Sequence, residues 1–154
     1  MSGRGLPNLY AAICELWGAP VKQKTAAQIS AAALSIDSAA LSIDSAALSI
    51  ESAALSGDSD EPDIISLKTL ELFCAMLGTA AGNFALNVGA RGGVYLAGGI
   101  LPRIRDFFLA SDFRRRFEER GSLSPFNQQI PTFLVLDPEP GLTGALMLAR
   151  RSVA

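Results

Sequence analysis

Apolar residues recur at steps of three and four through Leu67, Leu70, Cys74, Leu77, Ala81, Phe84 and Val88, with polar residues between them. That period matches one face of an α-helix and predicts a long helix with these side chains turned to a core. Pro62 stands where a first helical turn accepts a proline. Gly89 and the pair Gly92 and Gly93 supply the stop. Residues 94–97, Val-Tyr-Leu-Ala, form a short apolar run that predicts a strand, and Gly98 and Gly99 follow at once. A further helix is expected over residues 101–109. Ser111 can cap the next one, which should end near Gly121. Residues 130–136 read as a second strand, residues 137–141 as a turn rich in proline, and residues 142–151 as a closing helix. Strand, helices, strand and helix in that order predict an α/β domain with parallel strands.

Upstream, the pattern changes twice. Residues 1–31 open on a glycine-rich turn, Ser2-Gly3-Arg4-Gly5. A short helical pattern follows through Leu9, Ile13, Leu16 and Trp17, halted by Gly18 and Pro20. Residues 32–59 are four consecutive heptads of the form AALSIDS, differing only at the Ile/Gly and Asp/Glu positions. An odd period cannot hold one apolar face of a strand, because each heptad would flip the set to the other side. As a helix, the repeat brings Ala33, Ile36, Ala40, Ile43, Ala47 and Ile50 into one seam. Two serines in each heptad lower its helical propensity. Two readings of this helix stand: a tolerated surface insertion, or a self-associating element. The third zone, residues 60–154, carries the α/β pattern.

Composition narrows the functional classes. Apolar residues make up 49% of the 154, enough for a buried core. A net charge of −2 lacks the basic field that general nucleic-acid binding needs, so no nucleic-acid partner is expected. The opening residues lack the apolar core of a signal peptide. No run reaches the roughly 18 apolar residues that span a bilayer; the nearest, residues 84–101, is interrupted by Asn87 and Arg91. A cytoplasmic location without a membrane partner is the expectation. Cys14 and Cys74 have no metal-ligand spacing and read as buried free thiols. The chain has no histidine, which excludes a histidine-dependent triad or a His-ligated metal within it. No metal-ligating residue and no catalytic residue is singled out.

The junction at Gly98 and Gly99 is the one place with candidate chemistry. Glycines between a strand and a helix let a ligand approach the backbone with no Cβ in the way. The following helix would offer unpaired N–H groups and a positive dipole end to a nucleotide. Such a turn also serves as a plain tight connection. Arg103, Arg105, Arg114, Arg115 and Arg116 could suggest a phosphate patch. Asp106, Asp112, Glu118 and Glu119 are interleaved with them, and a solvated helix face is the better reading.

Several separated runs resemble the C-terminal region of the bacterial glucokinases. They are SGRGLPNLY at 2–10, AGNFALN at 81–87, GGVYLAGGILPR at 92–103, residues 107–120, Ile130 with Pro131, and PGLTGA at 140–145. The resemblance covers nearly all of residues 1–31 and 57–154. It implies a partial ribonuclease H-like domain of the actin-like ATPase and hexokinase fold group, with the heptad repeat inserted as a helix. In that family the segment equivalent to residues 94–100 lines the adenosine side of the ATP site. The resemblance therefore implies a nucleotide-binding role for Gly98 and Gly99, with the loop around Gly3 and Gly5 as a neighbour.

The resemblance also implies groups that these 154 residues do not contain. An Asp-x-Gly-Gly-Thr-Asn-like phosphate loop, the aspartate that takes the sugar hydroxyl proton, and the Asn, Glu and His groups that hold glucose are all missing. The expectation is a truncated C-terminal piece. ATP with Mg2+ and glucose would be bound by the complete enzyme, and ATP or ADP only weakly by this chain. Phosphoryl transfer depends on positioning and on charge stabilisation at the γ-phosphate, which an adenosine half-site does not supply. The alternative is a noncatalytic protein that forms a homo-oligomer through the repeat helix and an exposed sheet edge.

Overall fold

A computed structural model describes residues 4–36, 63–137 and 139–153. Pro62 and heptads two to four of the repeat lie outside the described residues. The first helix, α1, spans Gly5–Leu16 and ends through Gly18, whose φ of 66° lies in the left-handed region. The second, α2, spans Ala26–Leu34 and crosses the boundary expected at residue 31. Its start is a capping box: the Thr25 hydroxyl accepts from the Gln28 amide at 3.3 Å, and the Gln28 side chain accepts from the Thr25 amide at 2.8 Å. The first heptad thus contributes the end of α2, where Ala33 is buried and Ile36 packs against the core.

Helix α3, Ile64–Val88, is the packing centre, with α1 and α2 lying against it. Asp63 caps its N-terminus, and Gly89, at φ 63°, closes it in a left-handed conformation. It has the length and mean hydropathy, 1.5 over an 18-residue window, to cross a membrane. Here its buried side chains form the middle of the core, and a core helix passes the same test. Leu67, Leu70, Cys74 and Ala81 face inward as expected. Phe84 and Val88 do not: they are 62% and 57% exposed. The buried stripe shifts instead to Gly78, Gly82 and Ala85.

The reason lies in the next helices. Strand β1 spans Val94–Leu96 and leads to a 3-10 turn at Leu101–Ile104, which continues as α4, Arg105–Ala110. Helix α5, Phe113–Glu118, crosses α3 at its glycines. A Cβ on Gly78 would lie 2.3 Å from the Phe113 carbonyl oxygen, and one on Gly82 would lie 2.5 Å from that of Phe117. Only glycine permits that approach, so the contact runs along 78, 82 and 85 and turns Phe84 outward. The Ser111 hydroxyl accepts from the Phe113 amide at 3.3 Å, which places the expected cap one residue before the N-cap position itself.

After a second 3-10 turn, Gly121–Leu123, a short helix α6 covers Ser124–Gln128. The fully buried Asn127 donates to the carbonyls of Phe117 at 2.7 Å and Gly82 at 3.2 Å, tying α6 to α5 and α3. Strand β2, Thr132–Leu134, is shorter than expected and pairs parallel with β1 in the register Val94 to Thr132, Tyr95 to Phe133 and Leu96 to Leu134. The predicted parallel strands are therefore present, as a two-stranded sheet. Helix α7 begins at Pro140, inside the expected turn, and runs Pro140–Val153. Asp137 starts it by accepting from the Glu139 amide at 2.8 Å and the Thr143 hydroxyl at 2.7 Å.

Candidate functional site

The Gly98 and Gly99 turn is held at both ends and open between them. Leu96, at the end of β1, and Leu101, at the start of the 3-10 turn, are both buried. Residues 97–99 between them are exposed. Gly98 has a φ of 136°, which a side chain would strain, and a Cβ at Gly98 or Gly99 would meet no atom within 4 Å. The backbone of the turn is thus accessible to a ligand from outside. Gly5 sits at the start of α1 with equally open space around it, and Gly3 lies outside the described residues.

One expectation about this turn is corrected. The element after it is a four-residue 3-10 turn with Pro102 in its first positions. Proline has no N–H to offer, and so short an element sums little dipole. Whatever binds here would meet exposed glycine backbone rather than a helix end. The nearby basic residues behave as the sequence pattern suggested. Arg115 pairs with Asp112 and Glu119, and Arg116 pairs with Glu119 at 3.2 Å. The Arg115 guanidinium holds the exposed Asp112 carboxyl below the usual range. Arg114 has a structural role: it pairs with Glu118 at 2.6 Å and donates to the carbonyls of Ile130 at 2.8 Å and Gln128 at 3.1 Å. That bracket ties α5 to the segment leading into β2.

Other chemistry-bearing groups are inward-facing. Burial pushes the Cys74 thiol up to about 11, and burial likewise raises that of Cys14, so both stay protonated as expected for buried thiols. Tyr10 is raised well above its ordinary value, chiefly by burial and then by the Asp63 carboxylate. Among the described residues, no group of three or more His, Cys, Asp or Glu could hold a metal ion. A groove of about 820 Å³ lies elsewhere, between the end of α2 and the junction of α4 and α5, with Ile36 and Phe107 on its walls. It contains neither glycine of the turn.

The family model described as Glucokinase matches residues 1–152. The chain belongs to the glucokinase family. Among curated glucokinases, that of Chromobacterium violaceum is 40% identical over 144 residues, covering 94% of this chain and 34% of its own length. That of Aromatoleum aromaticum is 41% identical over 145 residues, covering 94% of this chain and 36% of its own length. A crystal structure of glucokinase from an Antarctic psychrotroph superposes with a TM-score of 0.67 at 35% identity, over 90% of this chain and 35% of that one. This glucokinase-family chain therefore spans about a third of the length of the relatives it matches. The C-terminal resemblance read from the separated motifs is borne out at the level of the family.

Proposed function

We infer that this chain carries the adenosine-side portion of a glucokinase, an enzyme that transfers the γ-phosphoryl group of ATP to glucose. The open turn at Gly98 and Gly99, anchored by Leu96 and Leu101 in a glucokinase-family chain, is the observation that supports it most directly. In this reading the two-stranded sheet is the remnant of a ribonuclease H-like, actin-like ATPase domain. Residues 1–31 and 60–154 supply the family portion, and residues 32–59 are a heptad insertion. The loop near Gly3 and Gly5 borders the nucleotide, and the enzyme works in the cytoplasm.

The chain's own contribution is to present backbone to the nucleoside. The sugar-binding groups, the proton-accepting aspartate and the phosphate loop belong to the two thirds of the relatives' length that this chain does not match. Mg2+ does not fit the described side chains of this chain and would travel with the ATP phosphates, so no step is derived through it here. Alone, the chain should bind ADP weakly and turn over no glucose, since an open half-cleft leaves a nucleotide largely in water. Calorimetry with ADP tests this. Weak binding that Gly98→Val abolishes is expected, whereas tight binding indifferent to Gly98→Val would remove the assigned role. A coupled assay showing glucose phosphorylation that scales with the purified chain would also overturn the reading.

A further inference from the structure

The outer face of the sheet ends in two bare aromatic rings. Tyr95 and Phe133 stand opposite each other in the parallel register, stacked with ring centroids 4.9 Å apart and planes 24° from parallel. They remain 68% and 43% exposed. The inner face, by contrast, lies on the core through Leu96, with Val94 and Leu134 packed against it. The Phe133 ring also lies over Gly93, where a Cβ would come within 2.8 Å of it, so the pair is fixed in place rather than loosely displayed. Parallel sheets occur with both faces covered, and a sheet of two short strands is marginal by itself. The chain runs from this face into another uncovered apolar element: Leu142, Leu146 and Met147 of α7 are 66%, 52% and 60% exposed.

We propose that the Tyr95 and Phe133 face, continued by α7, is the docking surface for the portion of a glucokinase that this chain does not match. The occupant is argued from length. The chain superposes on 35% of a solved glucokinase and aligns with 34% of the Chromobacterium violaceum protein, so relatives carry about twice as much further chain. A segment of that size can cover one sheet face and a 14-residue helix together. The exposed pair is aromatic and apolar, and Tyr and Phe are enriched at the centres of protein interfaces. The partner therefore presents an apolar face to the rings. This inference rests on the glucokinase reading given above and extends it to a second, separable surface.

The test is co-expression of the tagged 154-residue chain with the unmatched portion of the Chromobacterium violaceum glucokinase. Recovery of that portion in a one-to-one complex is expected. Changing Tyr95→Glu together with Phe133→Glu should lower recovery at least tenfold, while Leu109→Glu, at an exposed site on α4, leaves it unchanged. Circular dichroism melts show that the variants remain folded, and hydroxyl-radical footprinting should find Tyr95 protected in the complex only. Failure to recover a complex, recovery indifferent to the double change, or a homodimer of this chain that the double change dissolves would each overturn the proposal. Gly98→Val separates the two readings. A complex that forms yet phosphorylates no glucose, with or without that change, upholds the docking surface and sinks the nucleotide assignment.

Discussion

Lys24 and Asp63, 39 positions apart, form an ion pair that closes the chain across the repeat. Both side chains are mostly withdrawn from solvent, at 21% and 22% exposure. The same carboxylate caps α3, accepting from the Ser66 amide at 3.2 Å and also from its hydroxyl. The Lys24 ammonium lies 5.1 Å from the centre of the Tyr10 ring, which brings α1 into the same cluster. Three elements, the loop before α2, the start of α3 and the middle of α1, thus converge on one charge pair.

Asp63→Ala should therefore cost more than an ordinary surface change. It removes an N-cap and leaves a half-buried ammonium without its partner, for a loss of about 1–3 kcal/mol. Asp63→Asn keeps a capping oxygen and should cost less. Urea denaturation of the two variants measures the difference, and equal stability of Asp63→Ala and the parent would dismiss the clasp.

The pair also sets an acid response. Burial alone would raise the Asp63 carboxyl, but hydrogen bonds from Lys24 and Ser66 outweigh it and hold it below its ordinary value of 3.8. The folded state thus binds that proton less readily than the unfolded chain. The stabilisation is complete above the unfolded value and disappears as pH falls through the lower folded one. The stability gap between the parent and Asp63→Asn should stay constant from about pH 7 to pH 5 and narrow below about pH 4. A gap that widens in acid would contradict this sign.

Much of this frame was legible in the residue pattern. The 3.6 period marked α3, and the short apolar runs marked both strands and their parallel order. What escaped were contacts that carry no hydrophobic weight. Gly78 and Gly82 add nothing to an apolar periodicity, yet they decide where α5 crosses, so Phe84 and Val88 were assigned inward when Ala85 takes that place. The capping box of Thr25 and Gln28 was a readable signal for α2, obscured by the repeat that begins within the helix. At the candidate site, the position of Gly98 and Gly99 between strand and turn was readable. The 3-10 geometry after them was not, although Pro102 hinted at it. The Lys24 pair with Asp63 needs tertiary structure and has no local signature.

Glycine at 78 and 82 yields a sharp stability test. The added methyl of Gly78→Ala or Gly82→Ala would strike backbone carbonyl oxygens, which cannot swing aside like the end of a flexible side chain. In an exposed helix the change would favour helix formation by about 1 kcal/mol. Here the overpacking should reverse the sign and destabilise by about 1–3 kcal/mol. Gly82→Ala should also disturb Arg120, whose guanidinium donates to the carbonyls of Thr79 at 2.7 Å and Gly78 at 3.3 Å. Thermal melts that rise for either variant would show that α5 retreats at no cost.

The heptads should differ in importance according to what the core touches. In the first heptad Ala33 is 1% exposed and Ile36 packs against the core, so this copy belongs to α2 and to the fold. Deleting residues 39–59 removes three whole heptads and joins Ser38 to Asp60, retaining every described contact. The shortened connection from Ile36 to Asp63 has six steps, a reach of about 20 Å. The gap it must span is modest, because Ile36 and Lys68 line the same groove and Lys68 lies five helical residues, about 7.5 Å, beyond Asp63. The Lys24 and Asp63 clasp then holds the two ends whatever the length between them. The melting temperature of this deletion should stay within about 2 °C of the parent, equivalent to well under 1 kcal/mol for a domain of this size. Deleting residues 32–59 takes Ala33 and the end of α2 as well, and should lower it by more than about 5 °C. Parallel melts of the two deletions decide the matter: a large loss in the first would place heptads two to four in the core, and no loss in the second would remove the first heptad from it.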